Sequence, residues 1–341
     1  MKRLWTFFPI TIVYSLAVIV RVLYNLVVAR GYYPLHDSSV YQTIALNMLH
    51  EHCYCLLPNL PTVDRAPLWP AVIAAIYGVL GSHDHFVRLF LCFVGAGTCA
   101  LVYQFASDLF GKRVALFAGI LAALYPFLYI YDGWLYSESL YIFLLFAFCY
   151  TLYRLQRNPS WQWMVSGAIL LGLASLTRPN GMVILGAFLA WAVIIGWRYM
   201  LSWRTVVKSM LVIGLLSTVF ILPWTLRNYM VTQQLVPVAV GDGKVMLGAY
   251  NDMILQRPYY LGIWIIPSES NPAIAAQYPA NCAGACEVKR DSDYRKDAIQ
   301  WIESHTNEIP YLLRLHFTNL WSITTQEADL PINRFPDRLA S

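Results

Sequence analysis

Long apolar runs recur along most of this chain, and they constrain its fold more than any other feature. A transmembrane helix needs roughly 20 apolar residues, and seven segments of about 16–22 residues meet this requirement. They are residues 9–29, 86–106, 113–131, 138–154, 161–176, 181–197 and 206–223. The sequence therefore predicts an all-α polytopic membrane protein with about seven transmembrane helices.

The composition agrees with this prediction. Of the 341 residues, 58% are hydrophobic and 13% are charged, whereas soluble domains carry roughly 25% charged residues. The net charge of +5 comes from basic residues dispersed in loops, which does not indicate a nucleic-acid partner. No small-residue cleavage site follows the first apolar run, so we interpret that run as a span in contact with membrane lipids rather than as a secretory signal.

Two further helices are predicted in the loop 30–85, between the first two spans. Residues 34–50, PLHDSSVYQTIALNMLH, place apolar residues at helical spacing, and Asp37, Ser38 or Ser39 could cap this helix. Residues 68–80, LWPAVIAAIYGVL, are too few to span the bilayer comfortably and suit an interfacial or re-entrant helix.

The distribution of Lys and Arg predicts the orientation in the membrane. If the N-terminus is cytoplasmic, the loops on that side contain many basic residues and a single acid, Asp108. Basic residues favour the cytoplasmic side, so residues 224–341 are expected outside. The chain then has a transmembrane module at 1–223 and an extracytoplasmic region at 224–341.

This topology brings five charged residues to the outer membrane surface: Asp37, Arg65, Glu138, Arg178 and Arg227. A carboxylate at Asp37 could act as a general base toward a hydroxyl or amine, or could only cap its helix. Glu138 could orient an acceptor or a cation, or could only favour the start of its helix. The arginines could bind one specific phosphate or lipid phosphates in general.

Arg21 is unusual because it lies inside the first predicted span. A charge at this depth is costly and suggests a function, although a long side chain can also reach the interface by snorkelling. Arginines at the outer surface suit a phosphate attached to a lipid, and a nearby base suits an acceptor nucleophile. A sugar carried on a lipid phosphate meets both requirements, since its leaving group needs charge stabilisation.

Several segments, taken in order, resemble the GT-C superfamily of glycosyltransferases, which includes protein mannosyltransferases and the aminoarabinose transferase of lipid A. They are HDSSVYQTIALNML (36–49), TVDRAPLWPAVIAAIYGVLG (62–81), FVRLFLCFVG (86–95), LYSESLYIFLLF (135–146), LTRPNG (176–181) and LPWTLRNYMVTQQLVPVAVGDG (222–243). The resemblance covers about residues 30–325. It implies a GT-C bundle with interfacial helices in the first outer loop and a small outer C-terminal region.

The resemblance also implies a reaction. Asp37 would take a proton from an acceptor that attacks C1 of a sugar on polyprenyl phosphate, with inversion at that carbon. Glu138 matches the acidic position of the next outer loop, and Arg178 and Arg65 match positions near the donor phosphate. From their positions, we add His36 as an acceptor- or cation-orienting candidate and Arg227 and Arg21 as further donor-phosphate candidates.

The expected setting is the bacterial inner membrane, with the active site on the extracytoplasmic face. The acceptor is an unknown lipid, glycan or protein. Two other functions stay open from the sequence. One is a transporter or flippase of lipid-linked saccharides, and the other is an inactive relative that serves as a binding subunit.

Two departures from the family pattern matter. Family members often carry a second acidic residue directly after the first, where this chain has Ser38. No metal site is therefore predicted, and a divalent cation is left as an open alternative. Residues 312–326 resemble the approach to a further span, so the chain could be truncated or a minimal form. Cys282 and Cys286 could form a disulfide in an oxidising compartment.

Overall fold

The computed structural model describes residues 4–198, 202–256 and 262–321. These residues are mostly helical and contain almost no strand, which confirms an all-α polytopic membrane protein. The chain divides into two compact units. The first unit contains Met1–Asn59 and Arg65–Arg227, and the second contains Leu60–Asp64 and Asn228–Ser341. The functional division into 1–223 and 224–341 stays a prediction.

The first unit is a bundle of helices with short connections. Its helices are α1 (Leu4–Val27), α2 (Asp37–His50), α3 (Leu68–Leu80), α4 (Asp84–Phe110), α5 (Lys112–Leu124), α6 (Pro126–Tyr129), a 3₁₀ helix (Ile130–Gly133), α7 (Glu138–Arg157), α8 (Trp161–Thr177), α9 (Gly181–Arg198) and α10 (Trp203–Thr232), which continues into the second unit. The described residues contain two short strands, β1 (Cys55–Leu57) in the first unit and β2 (Leu60–Pro61) in the second. The helices predicted at 34–50 and 68–80 are thus present as α2 and α3.

Five helices in the described residues are long and apolar enough to cross a membrane. They are the Pro9–Val27 part of α1, α4, α7, α9 and α10. Residues Lys112–Leu124 and Pro126–Gly133 form a sixth candidate that is bent by 66°. The predicted span 161–176 corresponds to α8, a shorter apolar helix of 17 residues, so the structure supports five or six spans rather than seven.

The bend in the predicted span 113–131 has a local cause. Pro126 has no backbone N–H to continue the helical hydrogen bonds, and its ring disfavours the helical conformation of the preceding residue. Tyr125 accordingly has an extended backbone, with φ −75° and ψ 114°. The chain therefore turns at this point into α6 and the 3₁₀ helix, which precede the start of α7.

Helices α2 and α3, which the sequence predicts to be interfacial, pack against candidate transmembrane helices. Their side chains share one buried cluster with residues of α4 and α7, including Tyr41, Trp69, Leu91 and Leu140. The indole Nε1 of Trp69 donates a hydrogen bond to the Leu135 carbonyl at 2.9 Å. Burial of these large apolar side chains fixes the start of α2 relative to the start of α7.

The second unit contains helices of 4 to 20 residues and a small core. They are α11 (Asp242–Ala249), α12 (Asp252–Gln256), α13 (Pro267–Ser270), α14 (Pro272–Ala275), α15 (Ala285–Ser304) and α16 (Ile309–Leu320). Leu247, Tyr294 and Ala298 form part of that core. The predicted disulfide Cys282–Cys286 is present. Of the segment 312–326, residues 322–326 lie outside the described residues.

Candidate active site

Asp37 is the first residue of α2 and presents its carboxylate to solvent. Its side chain is 53% exposed, and Oδ1 accepts a hydrogen bond from Arg65 Nη2 at 2.7 Å. The predicted capping role is wrong, because His36 occupies the cap position and makes no side-chain cap bond. The hydroxyls of Ser38 and Ser39 instead donate to the carbonyls of Leu35 and His36. Asp37 is therefore oriented by Arg65.

Arg65 is held from several directions. Its guanidinium lies 6.0 Å from the centre of the Tyr41 ring, and its side chain is only 15% exposed. The hydroxyl of Tyr54 donates to the carbonyls of Arg65 and Ala66, each at 3.0 Å. A guanidinium placed in this way has little freedom, so it fixes the direction of the Asp37 carboxylate.

A second ion pair joins the start of α7 to the end of α8. Arg178 Nη1 lies 2.5 Å from Glu138 Oε1 and donates to Ser137 Oγ at 3.5 Å. Arg178 is the last residue before the turn Pro179–Asn180, and its own N–H caps α8 by donating to Ala174. Both side chains of the ion pair are about one-third exposed, so the pair remains open to a ligand.

Tyr41 and Ser137 connect the two ion pairs. Their hydroxyls lie 3.4 Å apart, and both residues are buried. Burial lowers the pKa of Arg178, but the Glu138 carboxylate, Tyr41 and Asp37 together raise it, and the net shift of this pKa is upward. Asp37 is therefore close enough to Arg178 to contribute to its electrostatic environment. That the two residues serve one functional site stays a prediction.

Sequence reasoning did not identify Tyr41 and Ser137 as site residues. Tyr41 is one helical turn after Asp37, so its position on α2 could have indicated the same face. Burial is the main cause of its raised pKa, with opposing contributions from Arg65 and Asp37. Ser137 precedes Glu138 and had no distinguishing pattern in the sequence.

Arg227 of α10 is close to this group but does not join either ion pair. Its Nη2 donates to the Tyr54 carbonyl at 3.1 Å, and its guanidinium lies over the rings of Tyr54 and Trp224. Arg227 thus contacts Tyr54, which in turn contacts the backbone of Arg65. Its role in phosphate binding stays a prediction.

Arg21 is placed differently from the other candidate arginines. Its Nε lies 2.7 Å from Asp132 Oδ2, with both side chains almost completely buried. Snorkelling is therefore excluded for Arg21 in this structure. Asp132 belongs to the 3₁₀ helix, and its role as the partner of an intramembrane arginine could not be seen from its position in the sequence.

The remaining prediction concerns a cation. His36 is exposed and has a positive φ of 51°, a backbone conformation that is uncommon for a residue other than glycine. Within residues 4–198, 202–256 and 262–321, three or more His, Cys, Asp or Glu side chains do not converge on a possible metal position. The role of His36 and the dependence on a divalent cation stay predictions.

Part of the chain is similar to a known protein family. Residues 64–225 match the family model described as dolichyl-phosphate-mannose-protein mannosyltransferase. The GT-C resemblance is confirmed. The match includes Arg65, Glu138 and Arg178 and ends before Arg227, whereas Asp37 precedes it. No curated protein matches the chain. The match supports a membrane glycosyltransferase of the GT-C kind.

Proposed function

We propose that this protein is an inverting glycosyltransferase that transfers a hexose or pentose from a polyprenyl-phosphate donor to an acceptor on the outer face of the membrane. The observation that supports this most directly is the contiguous arrangement of two carboxylate–guanidinium pairs, Asp37–Arg65 and Glu138–Arg178. The family match over Arg65, Glu138 and Arg178 agrees with it. The acceptor is a lipid, glycan or protein.

The two oxygens of Asp37 suit the role of a general base. In the described residues, only Oδ1 has a hydrogen-bond partner, which is Arg65. Oδ2 can then accept the acceptor's proton while the acceptor oxygen or nitrogen forms a bond to C1 of the sugar. The bond between C1 and the phosphate oxygen breaks at the same time, and its electron pair leaves with polyprenyl phosphate.

The two arginines have different tasks in this proposal. In the described residues, Arg178 uses Nη1 for both Ser137 and Glu138, so its Nε and Nη2 can donate to the donor phosphate. Guanidinium is suited to this contact because two of its N–H groups can bind two phosphate oxygens. Arg65 orients Asp37, and Arg178 stabilises the negative charge that develops on the leaving phosphate.

The proposed sidedness rests on the positions of the same residues. Asp37, Glu138 and Arg178 lie at helix ends that the Lys and Arg distribution assigns to the outer surface. In a bacterial cell, this surface is the extracytoplasmic face of the inner membrane. A lipid-anchored donor can reach it within the bilayer, and Glu138 with Ser137 is placed to orient the acceptor.

The test begins with mass spectrometry of cell-envelope glycans with and without the gene, which identifies the acceptor and the transferred mass. Purified protein in lipid nanodiscs is then assayed with the corresponding polyprenyl-phosphate sugar. Asp37→Asn should reduce transfer at least about 100-fold, because a positioned general base typically contributes this much or more. Donor binding should be largely retained.

Asp242→Asn is the matched control, since Asp242 is a highly exposed aspartate of the second unit, and it should transfer at the wild-type rate. Wild-type transfer by Asp37→Asn would reject Asp37 as the base. Movement of the donor across the bilayer without transfer by the wild type would instead favour a flippase. Donor binding with neither transfer nor movement would favour an inactive relative.

A further inference from the structure

The ion pair between Arg21 and Asp132 lies inside the helix bundle and has no part in the reaction proposed above. The two side chains are 1% and 0% exposed. Such a pair often adds little net stability, because the loss of hydration offsets the attraction between the charges. Stability alone is therefore a weak explanation for two charges at this depth.

Two glycines, Gly95 and Gly133, leave space around the Arg21–Asp132 ion pair. A Cβ atom at Gly95 of α4 would lie 2.6 Å from Arg21 Nε and 3.0 Å from Asp132 Cγ. A Cβ atom at Gly133 would lie 2.6 Å from Cε1 of Tyr24 on α1. Glycine at both positions thus allows close approach of the 3₁₀ helix, α1 and α4.

Asn25 adds a second connection between α1 and the 3₁₀ helix. Its Nδ2 donates to the Asp132 carbonyl at 3.4 Å, and its Oδ1 accepts from Arg88 Nε at 2.7 Å. Arg88 of α4 also donates to the carbonyl of Ala29 at 2.8 Å, just beyond the end of α1. The 3₁₀ helix is therefore fixed to α1 through both the side chain and the backbone carbonyl of Asp132.

The segment after the 3₁₀ helix leads directly into the candidate active site. The Leu135 N–H donates to the Tyr32 hydroxyl at 3.1 Å. Two residues later, Ser137 contacts Tyr41 and Arg178, and Glu138 then pairs with Arg178. A change in the position of Asp132 would be transmitted to Ser137 and Glu138 through only a few residues.

We propose that Arg21 and Asp132 are positioning residues that fix segment 134–138 and thereby hold Glu138, whose ion pair orients Arg178 for the donor phosphate. This inference rests on the proposed function for its role in donor binding. Its structural part, the fixing of segment 134–138, can be measured independently of any activity.

The test compares the wild type with Arg21→Met/Asp132→Leu in lipid nanodiscs. The double variant replaces the ion pair by apolar side chains, which buried sites often tolerate without loss of stability. Hydrogen exchange of peptides that cover 130–138 should accelerate about tenfold or more, and affinity for farnesyl phosphate should fall about tenfold, since small displacements at a site have effects of this size or larger. The melting temperature should change little.

Two further variants separate positioning from folding. The single variant Arg21→Lys retains the charge, so its exchange at 130–138 and its affinity for farnesyl phosphate should stay close to the wild-type values. If the double variant does not fold, a folded Arg21→Lys protein that loses both would contradict the inference. Arg154→Met breaks the Asp108–Arg154 pair at the opposite ends of α4 and α7. It should leave both exchange at 130–138 and farnesyl phosphate affinity unchanged.

Wild-type exchange and affinity in a folded double variant would overturn the inference, as would faster exchange spread evenly over α1, α4 and α7. If the wild type itself does not bind farnesyl phosphate, the proposed donor-phosphate site fails. The exchange of segment 130–138 then still decides whether the ion pair fixes that segment.

Discussion

At the scale of residues, Arg65 and Arg178 differ in how their guanidinium groups are bound and exposed. Arg65 directs Nη2 to Asp37 and is largely buried, whereas Arg178 directs Nη1 to Glu138 and is one-third exposed. Equal charge on the two side chains therefore does not mean equal function. Arg178 is the better candidate for a phosphate that arrives with a lipid.

Arg178→Ala should weaken binding of farnesyl phosphate about 10- to 100-fold, because a hydrogen bond to a charged group is worth about 1.5–3 kcal/mol. The measurement is a titration of the nanodisc-embedded protein. Arg154→Ala, which removes a partly exposed arginine at the other end of α7, should leave the affinity unchanged. Equal affinities for Arg178→Ala and the wild type would reject the phosphate role.

Ser38 directly follows the candidate base Asp37, and its environment does not suit a second acid. The side chain is fully buried, and its hydroxyl donates to the Leu35 carbonyl at 2.6 Å. Ser38→Asp should therefore destabilise the protein by about 3 kcal/mol or more, since a buried charge without a partner is costly.

Thermal unfolding in detergent measures this effect. Ser39→Asp is the matched control, because Ser39 is the next residue of α2 and is only partly buried. An acid there also lies in the first turn of a helix, which is favourable. Equal melting temperatures for the two variants would show that position 38 can admit a carboxylate.

At the scale of elements, the turn between α8 and α9 sets the position of Arg178. The Gly181 N–H donates to the Arg178 carbonyl at 2.9 Å. A Cβ atom at Gly181 would lie 2.5 Å from both Cα and N of Ser175, so the backbones of α8 and α9 approach too closely for any side chain. The glycine thus permits the sharp return that presents Arg178 at the end of α8.

Gly181→Ala should destabilise the protein by about 1–3 kcal/mol, because overpacking forces the backbone to shift, and should weaken farnesyl phosphate binding. Gly186→Ala is the control within the same helix, since a Cβ there would meet no heavy atom within 4 Å. It should be neutral or stabilising by up to about 1 kcal/mol. Unfolding and binding measurements on both variants decide this prediction, which fails if they behave alike.

At the scale of the whole molecule, the proposed chemistry depends on the orientation in the membrane. Ser82 lies in the connection between α3 and α4, and Asn158 lies between α7 and α8. Both are exposed. In intact cells, Ser82→Cys should react with a membrane-impermeant maleimide, whereas Asn158→Cys should react only after the membrane is permeabilised.

The wild type is the background control for this labelling, since it contains Cys92, Cys99 and Cys149 as free cysteines in its described residues. The reverse labelling pattern would place the connection after α3 and the start of α7, and with them the candidate site, on the cytoplasmic side. An external acceptor would then be impossible, whatever the effect of Asp37→Asn.

Much of the fold could be predicted because membrane insertion and helix formation depend on local sequence. Runs of apolar residues indicated the spans, and α3 was found at the predicted residues 68–80. The bend before Pro126 was missed, because the hydropathy of 113–131 is continuous and does not report the local backbone. The short α8 was counted as a span for the same reason.

The sequence by itself determined that this chain is a helical membrane protein, and it predicts that Asp37, Glu138 and Arg178 lie toward one surface of the membrane. Only the tertiary structure decided that Arg65 pairs with Asp37, that Tyr41 meets Ser137 and that Arg21 pairs with Asp132. The physical reason is the different distance along the sequence over which these interactions act. Apolar character and helix propensity act over a few turns, whereas a side chain's partner depends on how helices distant in sequence pack together.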